Sequence, residues 1–531
     1  MVNIKKFMYR GISLINIFFF VLIPLFSFSQ GGGLTGIITT HDGHPASGVY
    51  IELKNNKKIA VSNDDGTFEF VKLKPGIDTL SISFVGLQKI SKTVNISEEK
   101  VTFEKFVLRE NETQLTEIII AAAQSSNLRK TAIGKIPIQP MDLPQAVTTI
   151  SRTEIENQQA QRLSDVVKNI NGVYLGTSRA GTQETFFARG YSFSSTNMFK
   201  NGSRVNTGAM PEISSLDRVE VLKGGAAILY GNVAPGGILN MVTKKPKFDF
   251  GGEANIRFGS FGLIKPVIDV YGPINKKVAF RVNSTYEQAG SFRNNVTSEK
   301  YYVNPSFLIK AGKKTDIILE GDYLNHEFTP DFGIGSLNNT KIADVPRARF
   351  MGTAWQYNHV KQATTSATLR HEINSNWQYN AVVSWQLFDR DYFSVERIQA
   401  NAAGDWARPL GRIDMQEKYL TAQFNLNGKF KTGKIEHLLL AGTDGDYYQS
   451  GSYSYDVQGK IYDTINILDP SKYVQRTDIP SANRISKLNS DMIRYGIFVQ
   501  DLISISEKLK LLAGVRWSLQ ESPATHTDFL G

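Results

Sequence analysis

The second half of the chain alternates apolar and polar residues with a period of two. In the stretch VAFRVNSTYE, the apolar residues Val278, Phe280 and Val282 fall on one face, and Arg281 and Asn283 fall on the other. Side chains of a β-strand point alternately to its two faces, so the pattern predicts strands with one apolar and one polar face. About eleven such segments occur, at about 252–259, 263–271, 278–287, 301–310, 315–325, 363–373, 377–389, 416–430, 435–448, 490–505 and 508–520.

The connections between these segments alternate in length. Short ones such as YGPINKK and FKTGK alternate with long polar ones at about 288–300, 326–362, 390–415 and 449–489. A membrane barrel has tight turns on one rim and large loops on the other, and about ten residues cross the bilayer in each tilted strand. A soluble β-sandwich does not keep polar residues on one face over so many strands. The pattern therefore predicts a barrel with an apolar face toward lipid and a polar face toward a wet interior.

Residues 131–246 have a different, mixed α/β pattern. Apolar residues recur at helical spacing between Leu163 and Ile170, with Ser151 or Thr153 as the candidate N-cap. The Asn-Gly pair that follows Ile170 predicts the end of this helix. Short strands and turns follow, so the segment is expected to form a compact globule.

Residues 30–110 consist of short alternating runs separated by turn residues. The turns fall at Asp42-Gly43, Asp65-Gly66 and Pro75-Gly76, with runs such as VYIEL and TFEF between them. Strands at this spacing predict a small β-sandwich. The pair Asp64-Asp65 is interpreted as turn chemistry rather than as catalytic carboxylates.

The first 29 residues are typical of a secretory signal peptide. A basic start, MVNIKKFMYR, precedes the apolar run ISLINIFFFVLIPLF, and small residues allow cleavage between Ser29 and Gln30. Because the apolar run is short and ends at a cleavage pattern, it predicts export rather than a membrane helix of the mature protein.

Composition narrows the possible chemistry. The net charge is +10, but the basic residues are scattered, which does not favour a nucleic-acid interface. The chain contains no cysteine, which excludes disulfides, thiolate metal sites and cysteine nucleophiles.

His41 and His44 flank a predicted turn and are interpreted as exposed turn residues, so no metal site is expected. No Walker, HExxH or nucleophile-elbow pattern occurs, and we expect neither an enzyme nor a cofactor.

The stretch VLKGGAAILYGNVAPGGILN, residues 221–240, raises the question of a phosphate-binding loop. Neither G-x-x-x-x-G-K-[ST] nor G-x-G-x-x-G can be drawn through it. Its glycines are instead expected to allow tight turns inside the globule.

A short β-favouring run, TEIIIA, follows the predicted sandwich. It comprises Thr116, Glu117, Ile118, Ile119, Ile120 and Ala121. Physics alone leaves two interpretations open: a last sandwich strand with a linker, or an extended segment that adds to the sheet edge of another protein.

Several motifs resemble a known family. The chain contains LPQAVTTISRTEIENQQAQRLSDVVKNINGVY, FFARGY, LDRVEVLKGGAAILYGNVAPGGILNMVTKKP and RYGIFVQDLISISEKLKLLAGVRW. Together these resemble TonB-dependent siderophore receptors of the ferrichrome-type or ferric siderophore subgroup. The segment before them, with DGHPASGVYI and SNDDGTFEF, resembles the carboxypeptidase regulatory-like domain often found ahead of such transporters.

The resemblance implies a mainly β protein with a small N-terminal β-sandwich, an α/β plug domain and an antiparallel transmembrane β-barrel. The family barrel has about 22 strands, so the eleven segments correspond to its first half. The expected organisation is a signal peptide at 1–29, the sandwich at 30–110, the TonB-box segment and linker at 111–130, the plug at 131–246 and the partial barrel at 247–531. We therefore expect this chain to be the C-terminally incomplete part of a longer reading frame, because a half-barrel leaves unpaired edges in lipid.

The resemblance also implies roles for individual residues. The run from Thr116 to Ala121 lies where the family has its TonB box. Arg189, Glu220 and Lys223 are expected to make plug–barrel contacts. Lys223 stands where an arginine is usual, so a forked ion pair is not expected there.

The ligand is expected to touch the outward tips of the plug. By position these tips carry Arg179, Gln183, Tyr191, Arg204 and Met210. Arginines there suit an anionic ferric chelate. The alternative, that Arg179 and Arg204 are solvated loop charges, stays open.

The expected function is energy-dependent uptake of ferric siderophores across the outer membrane of a Gram-negative bacterium. The partners implied are TonB of the TonB-ExbB-ExbD complex, the ferric siderophore and outer-membrane lipids, with the N-terminal domains in the periplasm. The alternatives are import of another ligand, such as a glycan or cobalamin, or a non-transporting barrel or adhesin.

Overall fold

The computed structural model describes residues 32–529 except 41–42, 85–89, 99, 109–130, 137, 139–142, 180–182, 194–195, 207, 507 and 524. The chain divides into two units, Met1–Ala121 and Ala122–Gly531. The cleavage site at Ser29 and Gln30 and the run from Thr116 to Ala121 lie outside the described residues.

The first unit is a two-sheet sandwich, as its alternating runs predict. Its strands are β1 (Gly32–Thr40), β2 (Tyr50–Leu53), β3 (Lys58–Val61), β4 (Thr67–Leu73), β5 (Gly76–Ser83), β6 (Ile90–Ile96) and β7 (Val101–Leu108). One sheet has the order β4-β1-β7 and the other β3-β2-β5-β6. Alternate side chains of both sheets, including Leu34, Phe68 and Ile82, form one buried core. Asp65 accepts hydrogen bonds from the backbone and hydroxyl of Thr67, which is the turn role expected of it.

The second unit begins with a mixed α/β segment, called the plug below. Its strands are β8 (Ala146–Ser151), β9 (Val173–Arg179), β10 (Gln183–Ala188), β11 (Tyr191–Phe193), β12 (Met198–Lys200), β13 (Ser203–Arg204), β14 (Leu216–Lys223) and β15 (Gly237–Thr243). Its helices are α1 (Arg152–Asn157), α2 (Leu163–Val167) and α3 (Ala227–Tyr230). A five-stranded sheet of order β13-β12-β15-β14-β8 lies at its centre, beside the three-stranded sheet β11-β10-β9.

The single helix predicted from Ser151 to the Asn-Gly pair is in fact two short helices. Ser151 does cap α1, in a capping box with Glu154. The chain then breaks at Gln159, whose φ of 50° is left-handed, and restarts when Asp165 accepts the backbone N–H of Arg162. The prediction was wrong because these local side-chain bonds terminate a helix that apolar spacing alone would continue.

The glycine-rich stretch forms turns around α3, as expected. Gly237 has a φ of 125°, and a Cβ there would lie 2.2 Å from the carbonyl oxygen of Leu222. Only glycine fits this close approach of two strands.

The rest of the second unit is one large antiparallel sheet, called the wall below. Its sequential strands are β16 (Gly251–Gly259), β17 (Leu263–Pro273), β18 (Val278–Ala289), β19 (Ser298–Lys310), β20 (Thr315–Phe328), β23 (Tyr357–Glu372), β24 (Trp377–Val395), β26 (Asp405–Thr432), β27 (Ile435–Val457), β29 (Ala482–Ser504) and β30 (Lys510–Glu521). Short elements between them are a 3-10 turn (Ser260–Gly262), β21 (Ser336–Leu337), β22 (Lys341–Ile342), β25 (Gln399–Ala400), β28 (Ile461–Asn466) and β31 (His526–Phe529).

The wall strands match the predicted segments one for one in chain order, but several are much longer. β24 has 19 residues, β26 has 28, and β27 and β29 have 23 each. The extra residues lie at the ends joined by the long loops, where polar sequence conceals the continuing pairing.

The wall is apolar on the outside and polar on the inside. On β18, Arg281, Asn283 and Thr285 are buried, whereas apolar residues on the opposite face of neighbouring strands, such as Ile268 and Phe307, are exposed. A sheet that buries its charges and exposes its aliphatic side chains is suited to lipid on one face and a polar interior on the other. None of the helices among the described residues is both long and apolar enough to cross a bilayer.

Candidate functional site

The candidate site is the contact between the plug and the polar face of the wall. One buried element of it is Glu212, which lies in the plug between β13 and β14. The carboxylate of Glu212 is 3.1 Å from the ammonium of Lys265 and 2.8 Å from that of Lys300, both on the wall. Glu287, also on the wall, contacts the same two lysines at 2.8 and 3.4 Å.

These four side chains balance one another in charge, and Glu212 also accepts the backbone N–H of Ser214. Burial alone would raise the pKa of the Glu212 carboxyl, but Lys300 and Lys265 outweigh it and hold that pKa well below its ordinary value. Glu212 is therefore a charged anchor of the plug.

At the end of the plug, two consecutive lysines anchor it to different strands. The Lys244 ammonium lies 2.9 Å from Asp269, whose carboxylate also receives two bonds from Arg281. The Lys245 ammonium lies 2.6 Å from Glu320. Because strand residues alternate, consecutive lysines can reach carboxylates on opposite sides of the chain.

Two more plug cations pair with wall carboxylates. Lys200 on β12 lies 2.8 Å from Asp322. Lys135 lies 3.2 Å from Asp444, which also pairs with Arg516 at 2.6 Å. Charge-assisted bonds of this kind are strong, and breaking one leaves an uncompensated buried charge.

The buried ammonium group of Lys135 makes the free energy of unfolding of the plug vary with pH in the alkaline range. Burial lowers the pKa of its ammonium to about 8, against the opposing effect of Asp444, from an ordinary value of 10.5. Between these values the unfolded chain binds the proton more readily than the folded plug, so stability rises with pH. We expect a gain of up to about 1.4 kcal/mol per pH unit in the free energy of unfolding, relative to a Lys135→Met variant.

The check is the melting of the plug in detergent near pH 8 and near pH 10.5 for both proteins. The variant has no titrating group at position 135 and keeps the residues of the Asp444–Arg516 pair. Comparing the two proteins therefore cancels the contribution of all other titrating groups to the pH dependence. A wild-type free energy of unfolding that, relative to that of the variant, stays constant or falls from pH 8 to pH 10.5 would contradict the prediction.

The three residues expected to join plug and barrel are placed inside the plug. Glu220, on the inner strand β14, is fully buried and accepts hydrogen bonds from the backbone N–H of Ala132 and from the guanidinium of Arg218. Lys223 donates to the carbonyl of Asn171. The guanidinium of Arg189 lies against Gly224. Among the described residues, the contacts given for these three side chains lie within the plug.

The four predicted ligand residues whose side chains the structure describes differ in exposure. Tyr191 is 48% exposed and Gln183 is half-buried. Met210 is buried, and so is Arg204, whose guanidinium donates to the Tyr230 carbonyl at 3.3 Å and lies 3.9 Å from Asp446. Arg179 ends β9, and its side chain lies outside the described residues. In this conformation Arg204 serves as a plug–wall contact.

Sequence reasoning missed Glu212, Lys135, Lys200, Lys244 and Lys245. The wall carboxylates carried a readable signal, since Asp269, Glu320, Asp322 and Asp444 all occupy the polar face of alternating strands. The plug residues that pair with these carboxylates carried no such signal in the sequence. The two members of a pair can lie far apart along the chain, as Lys135 and Asp444 do at a separation of 309 residues.

The long loops at one end of the wall fold together into a small cap. Their shared core includes Met351, Trp406, Tyr462 and Ile465. Within it the guanidinium of Arg408, which is 1% exposed, pairs with both carboxylate oxygens of Asp463 at 2.5 Å. These loops therefore form one structured unit at this end of the sheet.

Three family descriptions match the chain. "TonB-dependent Receptor Plug Domain" matches residues 139–238, "TonB dependent receptor-like, beta-barrel" matches 302–529, and "CarboxypepD_reg-like domain" matches 34–120. The matches to the plug and β-barrel domains of TonB-dependent receptors thus follow one another along the chain, with the match to the CarboxypepD_reg-like domain ahead of them.

The particular proteins it is similar to include siderophore receptors and a metal-pseudopaline receptor. It is 25% identical over 443 residues to the catecholate siderophore receptor Fiu of Escherichia coli K12, covering 77% of this chain and 57% of Fiu. It is 26% identical over 393 residues to the metal-pseudopaline receptor CntO of Pseudomonas aeruginosa, covering 71% of this chain and 53% of CntO. The chain thus spans just over half the length of these relatives.

A solved structure agrees with these likenesses. The open form of the ferric-catecholate import receptor Fiu of E. coli K12 superposes with a TM-score of 0.67 at 25% identity, covering 76% of this chain and 64% of that one. The siderophore receptor PiuA of Acinetobacter baumannii superposes with a TM-score of 0.69 at 22% identity, covering 77% of this chain and 62% of PiuA, and shows the same fold.

Proposed function

We propose that the protein carrying this chain is an outer-membrane receptor that imports ferric siderophores with energy supplied through TonB. The observation that carries the proposal is a compact plug held by buried ion pairs against a wall that is polar inside and apolar outside. A plug fixed in this way closes a polar interior, and it must move for cargo to pass.

The chemical class of the cargo rests on the relatives. Fiu is a catecholate siderophore receptor, CntO is a metal-pseudopaline receptor, and the ferrichrome transporter of E. coli is 23% identical over 442 residues. All three names refer to metal chelates of small organic ligands. A metal chelate is the shared chemistry, and the ferric siderophores are its most frequent form among these relatives.

Within this proposal, the segment from Thr116 to Ala121 is the one that binds TonB. Its three consecutive isoleucines favour an extended conformation, which suits addition as a strand to a partner's sheet. The tips of the plug near Gln183 and Tyr191 are the proposed first contact for the ligand, with the side chain of Tyr191 exposed there. Met210, which is buried in this conformation, and Arg179 complete the proposed ligand group after plug movement.

Uptake of radiolabelled iron tests the function. A deletion strain and a strain complemented with the intact gene receive, one at a time, a ferric tris-catecholate, ferrichrome as a ferric hydroxamate, and ferric citrate. We expect loss of uptake of at least one of these in the deletion strain and its recovery on complementation. Unchanged uptake of all three, with loss of growth on a glycan or on cobalamin, would reject a siderophore receptor in favour of another TonB-dependent importer.

A further inference from the structure

The short turns at one end of the wall carry an excess of lysine. They join β17 to β18, β19 to β20, β23 to β24, β26 to β27 and β29 to β30, and together we call them the turn rim. Their residues are 274–277, 311–314, 373–376, 433–434 and 505–509. Six of these residues are lysines, namely Lys276, Lys277, Lys313, Lys314, Lys434 and Lys508, and one, Glu507, is acidic. The strand residues directly beside the turns add Lys310, Lys510 and Glu372, so the turn rim is strongly positive.

The long loops at the opposite end of the wall are nearly balanced in charge. They comprise residues 290–297, 329–356, 396–404 and 458–481. Among these residues are eight lysines or arginines and six aspartates or glutamates. Several of them pair with one another, as Arg293 does with Asp331 at 2.8 Å and Arg476 with Asp478 at 2.6 Å. The positive charge is therefore a property of the turn rim and not of the whole wall.

The lysines of the turn rim are available to an outside partner. Lys276, Lys313 and Lys434, from three different turns, are exposed, and none of them forms an ion pair with a residue that the structure describes. Two carboxylates at adjoining strand ends already have partners. Asp316 lies 2.8 Å from Lys310, and Glu436 lies 2.6 Å from Lys431. A cluster of exposed positive charge without counter-charges on the protein attracts anions.

Exposed aliphatic side chains lie among these lysines. They are Ile274, Ile373, Ile505 and Leu509, with exposed fractions of 57%, 46%, 46% and 56%. Exposed aliphatic groups at the end of an apolar face suit the boundary of a bilayer. The turn rim therefore combines charge with apolar surface.

An aromatic stack lies on the outer face of the wall beside these turns. Trp377 shares its face of β24 with the exposed Trp385, and it stacks on Phe430, which in turn stacks on His437. The ring centroids are 6.4 and 4.6 Å apart, and both pairs of ring planes are within 5° of parallel. Aromatic rings are enriched at the interface between membrane and water. The stack places the turn rim at the level of lipid headgroups.

The spacing of the turns favours lipid headgroups over a single small anion. Consecutive turns are two strand spacings apart, which is about 10 Å. One small anion cannot bridge that distance, whereas a row of separate headgroups can serve each turn. A zwitterionic headgroup carries its own ammonium group beside the phosphate, so an anionic headgroup gains more from an unpaired lysine. Each lysine near an anionic lipid surface adds an attraction that salt screens.

We propose that the turn rim binds the headgroups of anionic phospholipids in the leaflet that it faces. The aliphatic side chains of the turns enter the edge of the acyl layer, and the lysines reach the phosphates above it. This inference rests on the outer-membrane placement in the proposed function, but it does not depend on the cargo.

Competition between two lipids tests the inference. The intact protein is purified in detergent micelles with equal amounts of phosphatidylglycerol and phosphatidylcholine that carry the same acyl chains. Mass spectrometry of the intact complexes then counts the bound molecules of each lipid. The rim variant is Lys276→Gln/Lys313→Gln/Lys434→Gln. The matched control, Lys341→Gln/Lys361→Gln/Lys460→Gln, removes as many exposed lysines from the long-loop end of the wall.

We expect the ratio of bound phosphatidylglycerol to phosphatidylcholine to fall at least about fivefold in the rim variant, the equivalent of about 1 kcal/mol. In the control it should stay within about twofold of the wild-type ratio. Equal ratios in all three proteins, or a larger fall in the control, would overturn the inference.

The wild-type protein alone gives a second measurement, which does not require any variant to fold. Its preference for phosphatidylglycerol should weaken when salt rises from about 0.15 M to about 1 M, because the Debye length falls from about 8 to about 3 Å. A preference that salt does not change would count against binding by the lysines.

Two further outcomes separate this inference from its alternatives. Displacement of phosphatidylglycerol by inorganic phosphate, but not by chloride at the same ionic strength, would show a site for small anions and reject the lipid. If the protein imports none of the ferric siderophores and the rim variant still loses its preference, the proposed cargo is wrong while the lipid site stands.

Discussion

Replacement of Glu212 by alanine is expected to destabilise the docked plug by about 3–5 kcal/mol. Glu212 is the only carboxylate from the plug in its cluster of described residues, and its loss leaves Lys265 and Lys300 to share Glu287 alone. Two buried ammonium groups with one carboxylate carry an uncompensated positive charge. Water is excluded there, since the side chain of Glu212 is fully buried.

The measurement is the midpoint of plug unfolding in detergent, followed by protease cleavage within the plug as urea increases. Glu212→Gln preserves the shape of the side chain, and the stability of this variant should lie between that of the alanine variant and that of the wild type. Glu156→Ala is the matched control, because Glu156 pairs with Arg152 on the surface and is 51% exposed. That control should change stability by less than about 0.5 kcal/mol. A Glu212→Ala protein that is no less stable than the control would refute the role of Glu212 as an anchor of the plug.

Substitution of Ile119 by proline is expected to reduce siderophore uptake nearly to the level of a deletion strain. Proline has no N–H and leaves an acceptor of the partner strand unpaired, which costs about 1–3 kcal/mol. Strand addition to TonB should weaken by roughly ten- to hundredfold. Binding of the ferric siderophore at the cell surface should be unchanged, because the substitution lies outside the plug and wall.

Ile119→Val is the control, since valine keeps both the N–H and the β preference. Uptake and surface binding are measured on the same cells with the same radiolabelled ferric siderophore. Uptake by the proline variant at the rate of the valine variant would show that this run is not the TonB-binding segment. Loss of surface binding as well would indicate misassembly and would likewise count against this role.

Much of the fold could be predicted because it rests on local patterns. The wall strands follow from alternation with a period of two, and Ser151, one of the two predicted candidate caps, does cap a helix, in a capping box with Glu154. The errors are local as well. Apolar spacing favoured one helix, whereas the left-handed Gln159 and the capping Asp165 divide it in two.

Of the plug–wall contact, only the residues on the wall could be predicted from the sequence. Strand alternation identifies Asp269, Glu320 and Asp444 as facing the interior, but it does not say which charge meets them. Glu212 and Lys265 are 53 residues apart, and no short-range rule joins them. Family position suggested Glu220 and Lys223 as anchors, yet both make their contacts within the plug.

The sequence by itself determined that the wall has an apolar and a polar face, because alternation of side chains is a property of each strand alone. It also determined the turns of the sandwich and of the glycine-rich stretch, where backbone conformation limits the residue type. Only the tertiary structure decided which plug cation meets which wall carboxylate. Ion pairing depends on distances between chain segments that only the folded sheet brings together, and no periodicity of a single strand records them.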